Sequence, residues 1–116
     1  MFIHIRAIGF GLTDALRRHV QVRMQRAMRP FAREVMTVTA RLDDVNADHG
    51  GIDKRCSIVV VLRHRGMAIA EATRDDLYVA VNEVASRIRR TVERTIKRHV
   101  SRERKDRQRP GALITV

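Results

Sequence analysis

The sequence predicts an α+β domain of order β-α-β-β-β-α: a four-stranded antiparallel sheet with two helices packed on one face. Three observations lead there. Residues 14–29 and 75–102 carry apolar side chains at three- and four-residue steps, the period of a helix. Four shorter stretches alternate or run apolar, as strands do. An antiparallel sheet with both helices on one face fits this order. At 116 residues the chain reads as one domain, long enough for a core without covalent staples.

The first strand is Phe2 to Ala7, with Ile3 and Ile5 on one side and His4 and Arg6 on the other. Gly9 and Gly11 end it, and Thr13 is placed to cap a helix from Asp14 to Arg29. Leu16, Val20, Met24 and Ala27 form that helix's apolar stripe. Arg18, Gln21, Gln25 and Arg29 face away, with Arg26 on the flank. Arg23 lies near the stripe, so its stem covers apolar surface while its head reaches out. Pro30 ends or kinks the helix, and Phe31 plugs the end of the core.

Val35 to Leu42 is a second strand, with Met36, Val38, Ala40 and Leu42 set against Thr37, Thr39 and Arg41. A long polar connection follows from Asp43 to Arg55. Cys56 to Arg63 is a third strand, apolar on both faces over Ile58 to Leu62 and therefore central. His64-Arg65-Gly66 is a tight turn, and Met67 to Thr73 is a fourth strand whose bulk is low at Ala68, Ala70 and Ala72.

The stretch from Asp75 to Arg102 does two jobs. Leu77, Val81, Val84, Ala85, Ile88 and Val92 make a core face. Arg87, Arg90, Arg94, Lys97 and Arg98 fall on a different side, within roughly a third of the circumference at ~100° per residue. Thr73, Asp75 and Asp76 are cap and first-turn acids, and Lys97, Arg98 and Arg102 suit the far end of the dipole. Residues 1–102 are thus the binding domain. Residues 103–116 are expected to be a basic, flexible tail, with Pro110-Gly111 stopping any helix.

The net charge of +11 is unevenly placed. Residues 87–109 hold eleven Lys/Arg and three Asp/Glu, a net of +8, and residues 13–34 hold six Arg and two acids, a net of +4. Residues 40–76 hold six Lys/Arg and seven acids, a net of −1. An isolated charge run is usually only a solvated face. Two basic helices with this total charge point instead to a polyanion-binding surface. Most of the charge is arginine, whose planar fork holds phosphate oxygens at two points. The aromatics are Phe2, Phe10, Phe31 and Tyr78, too few for the stacking platform of a single-strand binder.

Other chemistries find little support. Asp44-Val45-Asn46-Ala47-Asp48 begins like a calcium loop, but His49 stands where glycine is needed and Arg55 where glutamate is needed. A solvated hairpin loop reads better. His4, His19, His49, His64 and His99 form no zinc pattern with Cys56, so no metal or other cofactor is expected. Cys56 reads as a small core residue and cannot form an intrachain disulfide. Asp75-Asp76 reads as helix capping rather than as paired catalytic carboxylates, and no nucleophile–base–orienter set appears. The longest apolar run, Ile58 to Leu62, is too short to span a bilayer, and the N-terminus lacks a signal-peptide core. The expected location is cytoplasmic, with no membrane partner.

Two segments carry a resemblance. L-R-R-H-V-Q-V-R-M-Q-R-A-M-R-P-F, after Thr13, resembles the first helix of the ribosome hibernation-promoting factor and ribosome-associated inhibitor family. D-D-L-Y-V-A-V-N-E-V-A-S-R-I-R-R-T-V-E-R, Asp75 to Arg94, is similar to that family's Asp-Met-Tyr-x-Ala-Ile-Asn/Asp core and the basic residues after it. The likeness covers about residues 2–100. It implies a fold like that of double-stranded-RNA-binding domains. It also implies a non-enzymatic role on the small ribosomal subunit, in the channel of mRNA and tRNA, silencing ribosomes under stress or in stationary phase. By the same mapping Arg23, Arg26, Arg29, Arg87, Arg90 and Arg94 would contact ribosomal RNA.

The chain departs from the family at Pro30, where an aromatic is usual, and in the longer Asp43–Arg55 connection. It is also too short for the second, dimerising domain of long-form members. Inactivation of single ribosomes, or pairing through a separate helper factor, is what this leaves. The expected function is a steric plug that grips RNA through Arg23, Arg26, Arg29, Arg87, Arg90, Arg94, Lys97 and Arg98. The alternative is a general double-stranded or structured RNA binder not tied to the ribosome. A third reading, an RNA-processing enzyme, lacks a catalytic group.

Overall fold

Strand pairing decides how the predicted elements assemble. The computed structural model describes residues 1–44, 53–64 and 66–108, with side chains as far as Arg98. It has the order β1 (Phe2–Ile8), α1 (Asp14–Met28), a short 3₁₀ turn (Arg29–Phe31), β2 (Val35–Asp44), β3 (Lys54–Leu62), β4 (Met67–Arg74) and α2 (Leu77–Gln108). The four strands lie in the order β1-β2-β3-β4.

The sheet is mixed, not antiparallel. β1 pairs with β2 in parallel, while β2–β3 and β3–β4 are antiparallel. The reason is the connection. A helix between two strands returns the chain to its starting end, so the next strand runs the same way. The two later connections are hairpins and reverse it.

Several boundaries differ from the sequence reading for local reasons. α1 stops at Met28 because Pro30 cannot donate to the ladder, and the chain turns through Arg29–Phe31 instead. Strands β2 and β3 run further than expected. Asp43 pairs with Arg55 and Asp44 with Lys54, so both ends of the expected Asp43–Arg55 loop are ladder. Of the calcium-like run, only Asp44 lies within the described residues, as a strand residue; His49 and Gly50-Gly51 lie outside them. Met36 does not join the core face: the register shifts between Val35 and Thr37, which buries Val35 and exposes Met36. α2 continues past Arg102 to Gln108, into the expected tail. Ser101 to Gln108 contains neither glycine nor proline and is rich in charged helix formers, so nothing stops it.

Both helices sit on one sheet face. Val38, Ala40 and Leu42 of β2, Cys56, Ile58 and Val60 of β3, and Ala68, Ala70 and Ala72 of β4 point into the core. The three alanines of β4 leave room for α2 to lie close, and it inserts Val81, Val84, Ile88 and Val92, all fully buried. Ala80 is buried beside them. α1 contributes Leu16, Val20, Met24, Ala27 and Met28. β3 is interior to the sheet as expected, but Val59 and Val61 are only half-buried. The apolar run of β3 therefore does not mark two covered faces.

Caps hold both helix starts. Thr13 Oγ1 accepts from Leu16 N–H at 3.2 Å. Asp76 Oδ1 accepts from Tyr78 N–H at 2.7 Å, so of the three candidates Asp76 is the cap of α2, and Thr73 remains in β4. Gly66, at φ +124°, makes the turn from β3 to β4 that a side chain would strain.

Candidate nucleic-acid interface

α2 is the common wall of two basic grooves. The first lies between α1 and α2, and is lined by Arg23, Arg26, Ala27, Ala85, Ser86 and Arg89. The second lies between α2 and the free edge of β4. It encloses about 540 Å³, and its cationic wall is Arg87, Arg90, Arg94 and Lys97. Small residues make the first groove possible: Ala27 and Ala85 sit at the helix contact, so the flanking arginines line a cleft rather than fill it.

The eight candidate residues separate into different roles. Arg23 is half-buried; its Nη2 donates to the Asn82 carbonyl at 3.5 Å, and its stem lies between the helices, as its place beside the stripe predicts. Arg26 is exposed on the rim of the same groove. Arg29 is exposed in the 3₁₀ turn and lines neither groove. Arg90 and Arg94 line the second groove, one helical turn apart, and make no ion pair among the described residues. Their Cβ atoms are about 5–6 Å apart at that spacing, suited to neighbouring phosphates on one strand. Lys97 Nζ is 3.2 Å from Glu93, but both side chains are largely exposed, so water and salt screen the pair. Arg98 is exposed further along α2.

Arg87 is different. Its Nη1 donates to the Glu71 carbonyl at 2.6 Å, and its Nη2 donates to Glu83 Oε1 at 2.6 Å. It fastens α2 to the edge of β4. Arg89, absent from the candidates read from sequence, lines the inter-helix groove with Arg23 and Arg26. The signal that could have found it is Ala85 four residues earlier. A small buried residue at i−4 places Arg89 at the edge of the helix contact, one turn on.

A polar bridge sets the two helices against each other. His19 Nε2 lies 2.8 Å from Asn82 Oδ1, and its ring sits 5.0 Å from that of Tyr78. Cys56 is fully buried in β3; burial, with a smaller contribution from Asp43, pushes its thiol up to about 12. At the far end of the sheet, Lys54 Nζ is 2.7 Å from Asp44 and 3.3 Å from Asp53. The Asp44 carboxylate raises the lysine above its ordinary pKa. Among the described residues, no group of three or more His, Cys, Asp or Glu side chains is placed to hold a metal ion. No described helix is long and apolar enough to cross a membrane.

Comparison with known proteins places this geometry. The N-terminal domain of Thermus thermophilus Protein Y is 26% identical, with a TM-score of 0.68 over 81% of this chain and 98% of that one. A ribosomal subunit interface protein from Coxiella burnetii is 19% identical, with a TM-score of 0.69 over 81% of this chain and 96% of that one, and shares the fold. No curated protein matches the sequence. Residues 3–100, which run from β1 through the arginine-rich part of α2 and so include both grooves, match the family described as Sigma 54 modulation protein / S30EA ribosomal protein, and the chain belongs to that family.

Proposed function

We propose that this protein is a ribosome hibernation factor. It binds the small ribosomal subunit in the mRNA and tRNA channel and blocks translation by occupancy, under stress or starvation. One observation carries the reading most directly: α2 is flanked on both sides by arginine-lined grooves, and Arg26, Arg89, Arg90 and Arg94 make no ion pair among the described residues. Guanidinium groups held in this way are ready for phosphate oxygens. The family's name and the solved ribosomal subunit interface protein from Coxiella burnetii make the ribosome the expected source of that phosphate.

In this reading the sheet is scaffold and the helices are the grip. Affinity comes from phosphate contacts, and placement comes from the shape of folded RNA. The protein needs no reacting group. It enters the cytoplasm's pool of small subunits and holds the channel closed for as long as it stays bound.

The test is co-sedimentation with small subunits across a salt series, followed by translation assays. Binding near one copy per subunit, falling steeply with salt, is the expected result. Inhibited ribosomes stripped at high salt should regain activity with intact ribosomal RNA. Lasting inactivation with a discrete RNA cut would mean an enzyme and overturn the reading. Equal affinity for unrelated duplex RNA and for ribosomes would favour a general RNA binder.

A further inference from the structure

The helices cover one face of the sheet and, among the described residues, the other is left bare. That bare face is built in cross-strand rows. Phe2, Thr37, Val61 and Met67 form the first, and His4, Thr39, Val59 and Ile69 the second. Arg6, Arg41, Ser57 and Glu71 form the third. The first two rows are largely apolar: Phe2 is 71% exposed, Met67 56% and Ile69 60%. Contiguous exposed apolar surface of this kind on a strongly charged chain marks an interaction face. The third row is charged and polarised across the sheet, basic on β1 and β2 and acidic on β4. Arg6 makes no ion pair among the described residues, and Glu71 Oε2 accepts only from the Ser57 hydroxyl, at 3.3 Å.

We infer that this face pairs with the same face of a second copy of the chain, about a twofold axis lying along the strands. The rows select that axis. Rotation about it reverses the strand order but preserves the level along each strand. β1 of one copy then lies over β4 of the other, and β2 over β3. Phe2 meets Met67, His4 meets Ile69, and Arg6 meets Glu71, each contact made twice, as an isologous interface requires. A twofold axis across the strands would instead set Phe2 over Arg6 and Met67 over Glu71, burying charge against apolar side chains without a partner. Stacked sheets lie about 10 Å apart, a gap that arginine and glutamate close by reaching from opposite sides.

The face is small. Four strands ~4.8 Å apart and five levels of ~3.3 Å give only a few hundred Å² of flat area per copy. Even with side-chain relief, the total buried falls at or below the low end for stable complexes. The pairing is therefore weak and concentration-dependent. It leaves α1 and α2 outermost on opposite sides, but Ile69 and Glu71 also line the groove between α2 and β4, so the pairing is measured on the chain without RNA.

Sedimentation equilibrium of the full chain, from micromolar to near-millimolar concentration, tests it. A reversible monomer–dimer equilibrium is expected. Ile69→Glu should raise the dissociation constant at least about tenfold. Arg6→Glu alone and Glu71→Arg alone should each weaken the dimer, because each opposes like charges across the interface. The double exchange, Arg6→Glu with Glu71→Arg, rebuilds opposite charges and should restore it. Circular dichroism melts confirm that each variant folds. A wild-type chain that stays monomeric throughout overturns the inference. So does a double exchange that dimerises no better than the single variants.

Discussion

Arg87 donates to Oε1 of Glu83, one helical turn behind it, at 2.6 Å, and Arg74 of β4 reaches the same oxygen at 2.5 Å. One carboxylate thus holds an arginine from the helix and one from the strand. Arg87 shares its side of the helix with Arg90 and Arg94 but not their situation. Its two nitrogens are already bound, to Glu83 and to the Glu71 carbonyl.

This separates two effects that sequence alone would merge. Arg90→Ala and Arg94→Ala should each weaken small-subunit binding and lower the salt slope by about 1, with the melting temperature unchanged. Arg87→Ala should cost about 1 kcal/mol of stability or less, since the pair is partly exposed, and should change the salt slope little. Salt-dependent binding curves beside thermal melts decide this. A slope loss at Arg87 equal to that at Arg94 would mean that the Glu83 contact opens on binding.

Arg89 should behave as a binding residue. It lines the groove between the helices with Arg23 and Arg26 and makes no ion pair among the described residues. Arg89→Ala should weaken binding by the loss of roughly one phosphate contact and leave folding intact. Wild-type affinity for a folded Arg89→Ala protein would remove this groove from the interface.

Ile88 is fully buried between the two arginine-bearing flanks of α2. Ile88→Ala should destabilise by ~2–5 kcal/mol, as large-to-small core changes do. Ile88→Asp would bury an unpaired carboxylate and should leave little folded protein. Chemical denaturation measures the first, and soluble yield measures the second. A cooperative, soluble Ile88→Asp protein would show that this face of α2 is not the core.

Cys56 should be inert in the native state. Burial raises its thiol from 9.0 to about 12, so at pH 8 alkylation should proceed only as fast as the protein opens. The folded thiol keeps its proton to higher pH than the unfolded one. Its effect on stability is therefore absent below pH 9 and grows as a loss between 9 and about 12, at up to ~1.4 kcal/mol per unit. Labelling rates and denaturation midpoints across that window test both statements. Rapid native labelling at pH 8 would show the thiol to be accessible.

The amino-acid sequence by itself determined the order of elements, the faces of the helices and the place of the charge. Those depend on near neighbours. Val81, Val84, Ile88 and Val92 recur at the helical step whatever they pack against, and Thr13 caps α1 with a hydroxyl three residues from the amide it serves. Only the tertiary structure decided which charges are committed. Asp43 was readable as loop; pairing opposite Arg55 put it in the sheet, where Arg41 and Arg55 close over it. Arg87 and Arg94 look alike along the helix, and the approach of β4 separates them by bringing Glu71 to one and not to the other. The parallel pairing of β1 and the bulge at Met36 belong to the same class. Periodicity is a property of adjacent residues. Register and ion pairing join residues distant in the chain, and their energies exist only once the strands and helices have met.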